Sequence, residues 1–350
     1  MSPTKHFAAI IVEGGGAVEL EEIDVPKPGK NEVLVKVVAA ALNPTDWKSA
    51  RPAERAGNVS GCDFAGVVEE LGPGAGVYRQ IGDRVTTCVY GARSANGAYA
   101  QYVVAKADFC IGIPDSWSFE EAAQLPIAVY TTAQCLYQSL RFNILPEPAA
   151  PEPLPILVYG SSSSVGNFVI QFAKHGRFEV HATCSPKNFD LVRGFGADKV
   201  YDYKDPEAPQ KIREATGGKL KYAVDTISEH GSDKFISGAL SDEGGKIACI
   251  LPYSGTPRAN IEPILSLAYD LVVDGFPAQR PDTGVSYIAD GPKYAKLVTD
   301  LLAQGKLKPA PVLVMPKGLA SVNDGFKYMI DGKVSGQKVI FRIADTPGLQ

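Results

Sequence analysis

No apolar run in the 350-residue chain is long enough to cross a bilayer, which argues against a helical membrane protein. Excess charge is also scarce. Thirty-five Lys and Arg stand against 39 Asp and Glu, a net charge of −4. That balance argues against nucleic acid or an anionic membrane as a partner. The opening Met-Ser-Pro-Thr-Lys-His has no apolar core of a secretory signal, so the expected location is cytoplasmic. Cysteine is sparse: Cys62, Cys88, Cys110, Cys135, Cys184 and Cys249 are scattered with no metal-finger spacing, and buried free thiols are expected. Histidine is scarcer still. His6, His175, His181 and His230 fall outside every motif described below, and none is assigned a catalytic role. Internal repeats and low-complexity tracts are absent. Proline is concentrated in one place, Leu145–Pro155, where five prolines forbid a helix or central strand and imply a stiff surface connection.

What is present is most informative between Pro155 and Asn188. A short apolar strand, Ile156–Tyr159, runs into a turn of small residues from Gly160 to Gly166. Val165, Phe168, Val169, Phe172 and Ala173 then recur at helical spacing, and a second apolar strand ends at Thr183. This is a β-α-β unit with a phosphate cradle at its first turn, where a pyrophosphate approaches the backbone N–H groups opening the helix. The middle glycines of the usual G-x-G-x-x-G are replaced by Ser162, Ser163 and Ser164. Serine still fits a tight turn, and its hydroxyl can bond a phosphate oxygen. At the end of the second strand, where an NAD site places Asp or Glu on the ribose 2′-OH, the chain has Ser185, Pro186, Lys187 and Asn188, with Tyr203 past the next strand, Lys199–Tyr201. A hydroxyl, an ammonium and an amide suit a 2′-phosphate that a carboxylate would repel. The expected cofactor is NADPH.

Residues 6–110 read as strands separated by Gly and Pro turns: Phe7–Val12, Val18–Glu22, Glu32–Ala40, Phe64–Leu71, Arg84–Val89 and Ala98–Ala105. From about Phe119 the pattern turns helical, and from Ile156 it alternates strand and helix. Later strands are expected at Tyr222–Asp225, Lys246–Ile250, Pro309–Val314 and Lys338–Ile343, with a helix at Lys293–Gln304. The class is α/β, an irregular β domain interrupted by a doubly wound parallel-sheet domain, and a cofactor and substrate would meet in the cleft between them.

Several segments together resemble the medium-chain dehydrogenase/reductase superfamily. They are Leu-Asn-Pro-Thr-Asp-Trp-Lys (42–48), Gly-Cys-Asp-Phe-Ala-Gly-Val-Val (61–68), Ile-Gly-Asp-Arg-Val (81–85), the Gly160–Gly166 turn, Cys-Ser-Pro-Lys-Asn-Phe-Asp-Leu-Val (184–192), Gly-Ala-Asp-Lys-Val-Tyr-Asp-Tyr (196–203) and Gly-Lys-Val-Ser-Gly-Gln-Lys-Val (332–339). The Asn-Pro-Thr-Asp-Trp-Lys and Cys-Ser-Pro-Lys-Asn-Phe-Asp segments resemble its fungal zinc-independent branch, which includes trans-acting enoyl reductases serving polyketide synthases of the lovastatin-pathway type. The resemblance implies a GroES-like catalytic domain (1–125 and 305–350) and a Rossmann NADPH-binding domain (126–304). It also implies secondary metabolism, and a small or carrier-bound enoyl substrate with a polyketide synthase as partner.

Zinc-dependent relatives need a Cys before the Thr-Asp element and a Gly-His-Glu element. This chain has Asn43 and Gly61-Cys62-Asp63, no third thiolate in 126–133 and no four-cysteine lobe near 90–110. Cys62 and Asp63 alone cannot complete a tetrahedral site, Asp63 is expected to bond the local backbone, and no metal is expected. Hydride addition to a conjugated C=C–C=O leaves an enolate that needs hydrogen-bond donors and a proton. By resemblance, Lys48 and Thr132 are the candidate catalytic residues. Thr45, Asp46, Trp47 and Lys48 face the cofactor, and Ser162, Ser163, Ser164 and Val165 cradle its pyrophosphate. Ser185, Pro186, Lys187, Asn188 and Tyr203 hold its adenosine phosphate end. Ile250 and Leu251 lie along the nicotinamide, and Val334 and Ser335 close over it. The expected reaction is NADPH-dependent reduction of an α,β-unsaturated thioester, with water as a possible proton source. A quinone or alkenal reductase of free substrates and a non-catalytic NADPH-binding protein stand as alternatives, and monomer and dimer are both open.

Overall fold

The computed structural model describes residues 3–145, 147, 152–253, 255, 258–272 and 287–349. Most of the proline-rich connection lies outside them. The chain forms two compact units: Met1–Ile127 with Tyr269–Gln350, and Ala128–Ala268.

The first unit opens with an antiparallel hairpin of β1 (Lys5–Ile11) and β2 (Val18–Asp24). β3 (Glu32–Ala41) is the centre of its main sheet; eight of its ten residues are Val, Leu or Ala, and only Lys36 is exposed. Helix α1 (Pro44–Ala50) follows, started by Asn43 as N-cap with Pro44 in the first turn, where a missing N–H costs nothing. Then come β4 (Asp63–Leu71), β5 (Arg84–Cys88), β6 (Tyr102–Lys106), β7 (Ile111–Gly112) and α2 (Phe119–Ala123). Val33, Val35, Phe64 and Phe341 of the sheet share one apolar core with Tyr99. The strand expected over Ala98–Ala105 begins only at Tyr102. The residues before it are bends with one isolated bridge, Ala8 with Ala100, and the Ala9 N–H donates to Tyr99 O.

Helix α3 (Pro126–Ala133) leads into a π-helical stretch, Gln134–Ser139, and the second unit. Its strands are β8 (Pro155–Tyr159), β9 (Glu179–Cys184), β10 (Lys199–Asp202), β11 (Tyr222–Asp225), β12 (Gly245–Cys249) and β13 (Ile261–Leu265). Helices α4 (Ser164–His175), α5 (Phe189–Gly194), α6 (Ala208–Ala215) and α7 (Ser232–Ala239) alternate with them. All six strands are parallel in the order β10-β9-β8-β11-β12-β13, the doubly wound arrangement, with β8 and β11 at the switch point where such sheets bind ligands. Phe168 and Phe172 of α4 are fully buried, which contributes about 1.5–3 kcal/mol each.

Helices α8 (Tyr269–Val272), α9 (Gly291–Ala303) and α10 (Val322–Ile330), with strands β14 (Val312–Met315) and β15 (Lys338–Arg342), complete the first unit. Its sheet order is β14-β15-β3-β4-β5-β7, with β6 also on β3. The chain returns to this unit at Tyr269. The Gly112 N–H donates to Thr299 Oγ1 of α9 at 3.0 Å, which ties that helix to β7.

Candidate active site

In the second unit the turn after β8 is forced by close packing. Gly160 has φ +77°, and a Cβ there would lie 2.5 Å from Ile227 Cγ1. A Cβ on Gly166 would lie 2.5 Å from Gly160 O. Ser161 is buried, its Oγ donating to Val158 O, whereas Ser162, Ser163, Ser164 and Val165 are half-buried. Ser163 caps α4: its Oγ accepts the Gly166 N–H at 2.9 Å and lies 2.9 Å from Thr226 Oγ1 at the end of β11. The Ser164 and Val165 N–H groups open the first turn, have no acceptor within the helix and stand at its positive end. A pyrophosphate fits these groups.

Cys184 pairs in register with Asp202, so Ser185 and Tyr203 follow directly from the ends of neighbouring strands. Pro186 and Lys187 are exposed in the 3-10 turn Pro186–Asn188. Asn188 is buried, its N–H donating to Ser185 O. Lys187 forms no ion pair among the described residues. On the neighbouring strand's end, Asp202 accepts the Lys204 N–H at 3.0 Å, and Lys204 stands over the Tyr203 ring. At the sheet's far end, Ile250 and Leu251 are half-buried, with Ile250 N–H donating to Ser228 Oγ at 3.0 Å. The buried Thr132 Oγ1 faces Val165 O at 3.5 Å, so this side chain reaches the start of α4 and not its own helix.

In the first unit, α1 places Thr45, Trp47 and Lys48. Thr45 Oγ1 is 2.7 Å from Tyr269 OH, which is 3.3 Å from Cys62 Sγ. Burial pushes both the Cys62 thiol and the Tyr269 phenol well above their ordinary values, so both are neutral donors. The Tyr90 ring lies against Tyr269 with centroids 4.2 Å apart. Lys48 is exposed, and its Nζ lies 5.6 Å from the Trp47 ring, which packs on the apolar core. Asp46 does not face outward as a cofactor contact would require. It is buried, and its Oδ2 accepts the Asn43 N–H and the Tyr99 hydroxyl, each at 2.7 Å, which fixes the start of α1. Val334 and Ser335 are half-buried ahead of β15, with Val334 packed on the core.

Behind α1 lies a buried charge cluster. Asp63 Oδ1 accepts the Ile127 N–H and Oδ2 accepts Asn43 Nδ2. Lys338 Nζ is 2.6 Å from Asn43 Oδ1 and 3.9 Å from Asp63 Oδ2. Burial raises Asp63 to about 7, raises Asp46 and lowers Lys338. Two acids thus face one ammonium.

Sequence reasoning missed Tyr269 and Tyr90. Tyr269 lies 224 residues from Thr45 in an unremarkable Leu-Ala-Tyr-Asp, and no local pattern signals it.

Residues 29–115 match the alcohol dehydrogenase GroES-like domain family, and residues 164–266 match the zinc-binding dehydrogenase family. With the doubly wound sheet, these matches define a medium-chain dehydrogenase/reductase and imply a nicotinamide cofactor. A trans-enoyl reductase of Alternaria alternata is 38% identical over 343 residues, covering 96% of this chain and 98% of that one. A trans-enoyl reductase of Gibberella fujikuroi is 37% identical over 342 residues, covering 95% and 96%. The chain belongs to the trans-enoyl reductase family within that superfamily. Among solved structures, an alcohol dehydrogenase superfamily protein from Novosphingobium aromaticivorans has a TM-score of 0.79 at 20% identity, covering 96% and 99% of the two chains. The CurK enoyl reductase has 0.76 at 18%, covering 97% and 99%. Both show the same fold.

Both oxygens of Asp63 are already bonded, the Cys62 thiol is held neutral, and the Lys338 ammonium supplies the local positive charge. Among the described residues no three His, Cys, Asp or Glu side chains gather as a metal site. These donors do not fit a zinc ion.

Proposed function

We propose that the protein is an NADPH-dependent enoyl reductase that reduces an α,β-unsaturated thioester carried by a polyketide synthase, without a metal. One observation carries the reading: a pair of touching neutral hydroxyls, Thr45 and Tyr269, backed by a neutral thiol. A developing enolate oxygen is stabilised by such fixed donors in a water-poor site. The trans-enoyl reductase name of relatives aligned along nearly the full chain supports the same substrate class.

When bound, the reduced nicotinamide supplies the hydride. The chain's own residues do the rest. Ser162, Ser163, Ser164 and Val165 hold the pyrophosphate at the capped start of α4. Ser185, Pro186, Lys187, Asn188 and Tyr203 receive the adenosine end, where the free ammonium of Lys187 favours a 2′-phosphate. Thr132 aligns the nicotinamide amide, Ile250 and Leu251 give its ring an apolar wall, and Val334 and Ser335 cover it. Lys48 contacts the cofactor from α1. Thr45 donates to the thioester carbonyl, with Tyr269 fixing the hydroxyl, and water restores the proton.

NADPH oxidation measured against a crotonyl-type thioester, a quinone, an alkenal and a simple aldehyde tests this. The thioester should give the highest kcat/KM. Preference for the aldehyde overturns the reaction class, and preference for the quinone or alkenal overturns the carried substrate.

A further inference from the structure

The chain is acidic overall, yet Arg55 and Arg93 stand at the Tyr90 ring that lies against Tyr269, and Arg51 stacks on Trp47 of the helix that carries Thr45. The Arg93 guanidinium lies 4.5 Å from the Tyr90 ring centroid, and that ring lies against Tyr269. Arg55 is close enough to Tyr90 for its charge to oppose the upward effect of burial on that phenol. The Arg55 Nε is buried and has no hydrogen-bond partner. Arg51 stacks on Trp47 at 4.2 Å, on the helix that carries Thr45. Among the described residues, none of the three enters an ion pair. The one acid between them, Glu54, is exposed and also unpaired there.

Surface cations elsewhere in this chain are commonly matched, as Lys5 is with Asp24, Lys174 with Asp198 and Lys211 with Asp205. A buried guanidinium N–H with no acceptor is costly unless a ligand supplies one. Guanidinium forks suit a phosphate, to which they bond in pairs. The aromatic faces of Tyr90 and Tyr269 then continue from the arginines to Thr45, so an anion at one end and a reacting carbonyl at the other share one path.

We propose that Arg55 and Arg93, seated around Tyr90, bind the phosphate of a phosphopantetheine arm whose acyl thioester ends at Thr45 and Tyr269, and that the arm is the carrier-bound one. This rests on the enoyl reductase reading and assigns its substrate handle. Arg51 adds a longer-range attraction from α1.

Two crotonyl thioesters differing only by phosphate, crotonyl-pantetheine and crotonyl-phosphopantetheine, test the site. The unmodified protein should show a KM at least about tenfold lower for the phosphorylated one. In the Arg55→Gln, Arg93→Gln double variant that advantage should vanish, with kcat and the phosphate-free KM unchanged. Equal KM values in the unmodified protein, or equal losses on both thioesters in the variant, overturn the proposal. The same variant is assayed with crotonyl-coenzyme A and with a crotonyl-loaded carrier domain. A loss on both supports the carrier arm, and a loss confined to coenzyme A overturns it. Calorimetric titration with unacylated phosphopantetheine reads the site without turnover. Binding that the double variant loses supports it even if no thioester is reduced, which would sink the enoyl reductase reading alone; no binding overturns it.

Discussion

Lys187 shows how little a single side chain needs to contribute to decide a cofactor. It is exposed, on a short turn at the end of β9, and no acid within that turn competes for it. An added phosphate on the ribose would gain a charge-assisted hydrogen bond there, whereas a bare hydroxyl gains far less. Lys187→Ala is expected to raise KM for NADPH about tenfold while changing KM for NADH little, as read by steady-state rates with both reductants. Equal losses would contradict the assignment. Asp46 teaches the converse. It stands inside the Asn-Pro-Thr-Asp-Trp-Lys motif, yet it is buried, its Oδ2 is taken by the Asn43 N–H and the Tyr99 hydroxyl, and its Oδ1 has no hydrogen-bond partner among the described residues. Motif membership places a residue on an element, and hydrogen bonds decide what it does there.

Elements built from one contiguous pattern were legible. β8, α4 and β9 follow each other with clean periodicity, so this β-α-β unit was readable from the sequence. β13 was not, because Pro263 disguises a strand that only its edge position tolerates. α1 escaped as a seven-residue helix too short to show a period. The hydroxyl pair escaped because its partners are joined only by folding. Gly166 offers a test at this scale. A Cβ there would run into the turn it follows, 2.5 Å from Gly160 O, so Gly166→Val should lower stability by about 1–3 kcal/mol and weaken NADPH binding. Gly194, with open space around it on α5, should accept Ala with little change. Urea unfolding and cofactor titration of the two variants check both statements. Comparable losses in both would show that steric closeness at the cradle is not the cause.

At the scale of the whole molecule, the buried cluster of Asp46, Asp63 and Lys338 makes stability depend on pH. Burial lifts Asp63 from 3.8 to about 7, so in that window the folded protein keeps a proton that the unfolded chain has lost. The stability this group contributes therefore falls as pH rises through the window and levels off above it. Asp63→Asn removes the titration. Its stability relative to the unmodified protein should improve between about pH 5 and about pH 8, measured by denaturant unfolding at both ends. A pH-independent difference would refute the assignment. The six buried cysteines carry a separate consequence. Cys62, Cys88 and Cys110 belong to one unit and Cys135, Cys184 and Cys249 to the other. An alkylating reagent can reach any of them only when its surroundings transiently open. Mass spectrometry of labelling over time would therefore clock the breathing of each half separately, using probes the chain already contains.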